Sequence, residues 1–192
     1  AKWSGQCTSC KSWGTLKEMS VSGKKRTSLK MSSDPKKSIP FHELLETTEA
    51  RRISTKIPTI DNVLGGGLMP ASIILFGGEP GIGKSTLSLQ IAGNINSCLY
   101  VSAEESETQV ASRASRLNIS SKELSISSEN RWEAIEKIIK INPPILLVID
   151  SIQTIYSESL DGIPGSLSQV KECGSKILEF CKANDIIVIL IG

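Results

Sequence analysis

Beyond residue 39 the chain alternates two hydrophobic patterns. Short, mainly apolar segments at 72–76, 97–101, 145–150 and 186–191 have the length of strands, and that at 145–150 the continuous apolar character of one buried on both faces. Between them lie stretches with apolar residues at helical spacing: 84–92; 106–117, with Val110, Ala114 and Leu117 on one face; and 166–183, opened by Ser166 and Gln169. A weaker strand at 124–127 precedes a helix opened by Asn130, with Glu133 three residues on as in a capping box. Trp132, Ile135, Ile138 and Ile139 would face inward, and Pro143 and Pro144 end the helix. Strands that alternate with helices imply right-handed crossovers and a parallel sheet covered on both faces. The predicted fold class is α/β, without internal repeats.

The front of the chain follows neither pattern. Residues 15–38 are rich in Ser and Lys and lack a sustained apolar period, which reads as a flexible linker that cannot offset its own ordering entropy. The formal net charge of +2 hides an asymmetry: residues 1–37 hold nine Lys/Arg against two acids, and the remainder is net acidic. Any attraction for a polyanion therefore sits at the front, the alternative being a merely solvated linker. With 192 residues, 39% of them hydrophobic, the chain can bury one substantial core and a small second module. Its apolar runs fall far short of the roughly 20 residues of a membrane-spanning helix. It opens on Ala1, Lys2 and Trp3, without an initiator Met or a hydrophobic leader, so a cytoplasmic, truncated protein is expected.

Three groups of residues carry candidate chemistry. Gly78, Glu79, Pro80, Gly81, Ile82, Gly83, Lys84 and Ser85 fit G-x-x-x-x-G-K-[ST] between a predicted strand and a predicted helix. Glycines there let backbone N–H groups curl around phosphate oxygens, Lys84 reaches the β/γ-phosphates, and Ser85 ligates Mg²⁺. The spacing is not that of a dinucleotide fingerprint. Asp150 ends the apolar run 145–149, at the strand edge where open α/β sheets bind ligands, and would partner Ser85 on Mg²⁺. Glu104 and Glu105 follow the strand at 97–101; either can reach the same crevice and activate the attacking water, and the residues alone leave the choice open. Cys7 and Cys10 form a C-x-x-C between Trp3 and Trp13, half of a four-ligand Zn²⁺ site or, alternatively, a redox pair. Cys98, Cys173 and Cys181 lie in apolar segments and are expected to be buried thiols without disulfides.

Leu64 to Leu68 (LGGGL), Gly77 to Thr86, Tyr100 to Ser106 (YVSAEES) and Asp150 to Thr154 (DSIQT) together resemble the bacterial RadA (Sms) family of DNA repair ATPases, members of the RecA superfamily. Lys2 to Gly14 and Ser168 to Cys173 look like the same family. The resemblance implies a RecA-like P-loop NTPase core preceded by a four-cysteine zinc finger and followed by a Lon-protease-like domain. On that view 1–16 is a partial finger in which Cys7 and Cys10 are the second pair, 17–38 a basic linker, and 39–192 an ATPase core incomplete at its C-terminus, with 72–76 left as an exposed sheet edge. The phosphate loop would run through Thr86, and Glu104 rather than Glu105 would be the catalytic base. Residues 156–165 look like the first DNA-facing loop, although they carry Glu158 and Asp161 and no Lys or Arg. Ala71 and Ala103 stand where the family more often has glycine.

The implied function is ATP hydrolysis with Mg²⁺, stimulated by DNA and coupled to movement on single-stranded DNA and recombination intermediates during recombinational repair. The implied partners are a RecA recombinase and further copies of the chain in a homohexamer, without a membrane. Two alternatives stand beside it: another RecA-type motor, replicative-helicase-like or clock-ATPase-like, and a nucleotide-binding fragment without motor activity.

Overall fold

Four apolar runs and the weaker segment at 124–127 become five parallel strands: β1 Ile73–Phe76, β2 Cys98–Ser102, β3 Leu124–Ser127, β4 Leu146–Asp150 and β5 Ile187–Ile191, in the order β1-β5-β4-β2-β3. This is a computed structural model that describes residues 38–45 and 52–192. It divides into two compact units, Ala1–Thr47 and Thr48–Gly192. In the first, the described part is one short helix, α1 Phe41–Leu45. Cys7, Cys10 and most of the basic linker lie outside the described residues.

In the second unit the sheet carries helices on both faces, because each central strand is buried on both sides. Alternate residues of the central strands, Leu99, Val101, Leu147, Ile149 and Val188, pack against α5 Trp132–Ile141 and α6 Leu167–Ala183 through Ile135, Ile139, Cys173, Ile177 and Cys181. The intervening residues, Cys98, Tyr100, Leu146, Val148 and Ile189, pack against α3 Lys84–Asn94 and α4 Glu107–Arg116 through Leu89, Ile91, Ala92, Val110 and Ala114. Cys98, Cys173 and Cys181 are buried and free. Burial pushes the Cys173 thiol up to about 11 and that of Cys181 to about 12, so both stay protonated and unreactive. β1 is an edge strand with β5 on one side, and Leu75 stands 67% exposed.

The caps follow the sequence in part. Ser106 caps α4 in a complete capping box with Gln109. Ser166 caps α6 by accepting from the Gln169 backbone N–H, but the Gln169 side chain turns elsewhere. Asn130 does not open α5: Arg131 takes the N-cap position, without a side-chain bond. The reason is a bridge to the chain beyond β4, in which Tyr156 N–H donates to the Asn130 carbonyl and Trp132 N–H to that of Tyr156. Extended backbone is needed up to residue 131, and the Glu133 carboxylate is claimed by Ser157 and Lys176 instead of a cap.

A hook before β1 has no counterpart among the predicted elements. Ile53 and Leu68 pair antiparallel, Arg52 donates to the carbonyls of Leu64 (2.8 Å) and Gly67 (3.1 Å), and α2 Pro58–Val63 bulges between. Asp61 accepts from Ser54 Oγ, Thr55 N and Thr55 Oγ1, bonds that hold its carboxyl below the usual range. Gly67 is irreplaceable here, because a Cβ would lie 2.6 Å from the Ile53 carbonyl oxygen and φ is +123°. Ala71 adopts φ +56°, a left-handed conformation in which glycine would be at ease.

Candidate functional site

The register aligns the carboxyl ends of four strands. Phe76 pairs with Ile191, Ile191 with Asp150, and Asp150 with Ser102, so the loops after β1, β2 and β4 rise from one edge. The loop after β1 is glycine-rich and exposed over 77–83. Gly81 and Gly83 have φ of +80° and +102° with no heavy atom within 4 Å of a built Cβ, so backbone conformation rather than space demands glycine. α3 then starts with Gly83 as N-cap and no side-chain cap, which leaves its first N–H groups and positive dipole end for an anion. Lys84 Nζ donates to the carbonyls of Gly78 (2.6 Å) and Glu79 (3.0 Å), holding a cation over the loop.

Pro80, Gly81, Lys84, Ser85, Glu104, Asp150, Ser151 and Gln153 line a cleft of about 380 Å³ at this edge. Lys84, Ser85, Glu104 and Asp150, separated by up to 66 residues, thus meet around one space. Gly78, Glu79, Ile82, Gly83 and Thr86 do not line it; Ile82 and Gly83 border a second hollow with Leu75, Phe76 and Leu87. A larger hollow of about 570 Å³, bounded by Gln90, Asn94 and Asn118, includes none of the phosphate-loop residues.

The two adjacent glutamates diverge. Glu104 accepts from Ser151 Oγ at 2.7 Å and lines the cleft; Glu105 takes the Arg113 guanidinium at 3.1 Å. Asp150 is 9% exposed, and its Oδ2 accepts the Tyr100 hydroxyl at 2.6 Å with Arg113 NH2 3.9 Å away. Burial first, then the neighbouring Asp150 charge, pushes the Tyr100 phenol well above its ordinary value, so it remains a donor. Sequence reasoning gave no role to Tyr100, Arg113 or Ser151. Tyr100 carries a readable signal, a lone phenol inside an unbroken apolar run whose hydroxyl must find a partner; Arg113 carries none beyond its helical position.

The donor set suits Mg²⁺ arriving with phosphates, which is commonly held by one or two carboxylates and keeps several waters: one carboxylate, Asp150, and one hydroxyl, Ser85, flank the phosphate loop. Among the described residues no group of three or more His, Cys, Asp or Glu could enclose a metal by itself.

The loop after β4, read as DNA-facing over 156–165, is anchored at its base. Ser157 and Gln169 are 1% exposed. Gln169 accepts from Ser157 N at 2.9 Å and donates to the carbonyls of Ser157 (3.2 Å) and Leu160 (2.6 Å). Lys176 Nζ reaches Glu133, Ser157 Oγ and Ser159 Oγ. Beyond this base Ile163 and Leu167 stand 80% and 70% exposed. No helix among the described residues is long and apolar enough to cross a membrane.

Comparisons with known proteins agree on the fold. A family model described as "ATPase: KaiC" matches residues 53–132. The KaiC-like protein PH0186 of Pyrococcus horikoshii superposes with a TM-score of 0.62 at 19% identity, over 74% of this chain and 71% of that one. The architecture is thus the RecA-like fold of KaiC-type ATPases. By sequence, the chain is 38% identical over its whole length to the DNA repair protein RadA of Listeria monocytogenes and 42% identical to that of Aquifex aeolicus. The RadA of Rickettsia typhi is 43% identical over 98% of the chain. In each case the chain spans 43% of the relative's length.

Proposed function

We propose that the chain, which is 38 to 43% identical over nearly all of its length to part of the RadA proteins above, hydrolyses ATP with Mg²⁺ in recombinational DNA repair. The reading rests on one observation: Lys84, Ser85, Glu104 and Asp150 line a single cleft at the N-terminus of α3. Lys84 and the N–H groups of the loop bind the β- and γ-phosphates, and Ser85 and Asp150 would hold the metal. Mg²⁺, when bound, neutralises charge that develops on the phosphates. Glu104 takes the proton of the attacking water, its carboxylate oriented by the Ser151 hydroxyl.

The same reading extends to partners. Hydrolysis is coupled to movement on single-stranded DNA and recombination intermediates, in a homohexamer that works beside a RecA recombinase, and Cys7 and Cys10 contribute to a zinc site. The test is steady-state ATP turnover by the full-length protein with and without single-stranded DNA. Glu104→Gln should lower turnover on the order of 100-fold or more while ATP binding persists; a variant that turns over normally would overturn Glu104 as base. A second reading, nucleotide binding without a motor, is favoured by the absence of Lys and Arg from residues 157–170. ATP binding without DNA-stimulated turnover would select it.

A further inference from the structure

We propose that Tyr100 and Arg113 are positioning residues for the metal-holding carboxylate: they anchor Asp150 through Oδ2 and leave Oδ1 for the cleft, while Glu105 serves to hold Arg113. The inference deepens the nucleotide-site reading above and rests on it.

Tyr100 lies in β2 opposite Val148 of β4, two positions before Asp150 on the same face of the sheet. Its side chain is fully buried, and the hydroxyl donates to Asp150 Oδ2 at 2.6 Å. Arg113 reaches over from α4, its side chain 15% exposed, with NH2 3.5 Å from the Tyr100 oxygen and 3.9 Å from the same Oδ2. Both anchors address one oxygen. Oδ1 has no hydrogen-bond partner among the described residues, and Asp150 lines the cleft. A carboxylate held this way loses its rotation about Cβ–Cγ, the role that partners behind a metal ligand perform.

Charge divides the labour further. Tyr100 is a neutral donor that orients Asp150 without cancelling its charge. Arg113 could cancel it, but its closer ion pair is with Glu105 at 3.1 Å. Its buried Nε has no partner, so the guanidinium is not placed to satisfy all its own donors; the two carboxylates on either side account for its position. Glu105 thereby draws the guanidinium toward itself and away from Asp150. The Glu104–Glu105 pair becomes two different tools, one facing the cleft and one holding the arginine.

The experiment is a Mn²⁺ titration followed by electron paramagnetic resonance, on the full-length protein with a non-hydrolysable ATP analogue, with thermal midpoints measured on the same samples. Tyr100→Phe removes one hydroxyl and keeps the ring; it should weaken Mn²⁺ binding roughly 10- to 100-fold, with analogue affinity in EDTA unchanged. Glu105→Gln should weaken Mn²⁺ in the same direction by a smaller factor, because the released Arg113 competes for Asp150. Mn²⁺ affinity within about twofold of wild type for Tyr100→Phe overturns the inference, whether or not the thermal midpoint falls. Asp150→Asn separates the two levels: if it abolishes Mn²⁺ binding while Tyr100→Phe does not, only the positioning role fails. If Asp150→Asn also binds normally, the nucleotide-site reading fails with it.

Discussion

The loops that rise from β1 and β4 stand on the same edge of the sheet and are built on opposite plans. The first, 77–83, is exposed, and the N-terminus of the helix that follows it has no side-chain cap. The second begins in a backbone bridge, runs through the buried Ser157, and has its backbone groups claimed by Gln169. One leaves the N–H groups at its helix end without a side-chain partner; the other uses its polar groups to hold itself in place. Changes in the first should therefore cost binding and spare stability, and changes in the second the reverse.

The largest effect is expected at Lys84. Lys84→Ala removes the cation that sits over Gly78 and Glu79, and ATP affinity of the full-length protein should fall by about 100-fold or more by titration calorimetry, with little change in thermal midpoint. Unchanged affinity would sink the phosphate-loop assignment. Next comes Gln169, whose amide serves three backbone groups from a position 1% exposed. Gln169→Ala should cost about 2–3 kcal/mol in urea unfolding, the usual scale for buried backbone groups left unpaired, while ATP affinity stays near wild type. If affinity fell as far as stability, the two loops would be one unit and the contrast would fail.

The contrast also explains which parts could be read from the sequence. The glycine-rich motif is contiguous and has particular residue types at fixed spacing, so Gly81, Gly83, Lys84 and Ser85 stand out together in the sequence. Asp150 stands out because a carboxylate ends an apolar strand, and the structure places it at the cleft. Four of the five strands declared themselves by apolar runs, and β3, an alternating Leu-Ser-Ile-Ser segment, gave a weaker signal. What escaped were bonds between residues far apart in the chain. Asn130 and Glu133 had the spacing of a cap, but a bridge to Tyr156 and the pull of Ser157 and Lys176 overrode it. Gln169 likewise has the spacing of a cap partner while its amide serves the loop, and Arg113 offers only a charge on a helix. Local rules lose wherever tertiary hydrogen bonds compete for the same side chain.

The smallest effect, and the one with a pH signature, belongs to Glu133 at the base of the second loop. Burial alone would raise its carboxyl, but the hydrogen bonds from Ser157 and Lys176 outweigh it and hold the group at about 2 against an ordinary 4.5. Because the folded value is the lower one, the stabilisation is complete above the unfolded value. It drains away as pH falls from about 4.5 toward about 2, where the unfolded chain takes up the proton first. Glu133→Gln cannot ionise, so it should be less stable than wild type by about 2 kcal/mol at neutral pH, a figure already reduced for partial solvent screening. The deficit should shrink steadily through that acid window, since the wild type loses there what the variant never had. Urea midpoints for the two proteins at several pH values supply the difference curve, in which every other carboxylate cancels. A deficit that stays constant with pH would mean that Glu133 is held by packing alone, and that its ion pair with Lys176 does not secure the loop.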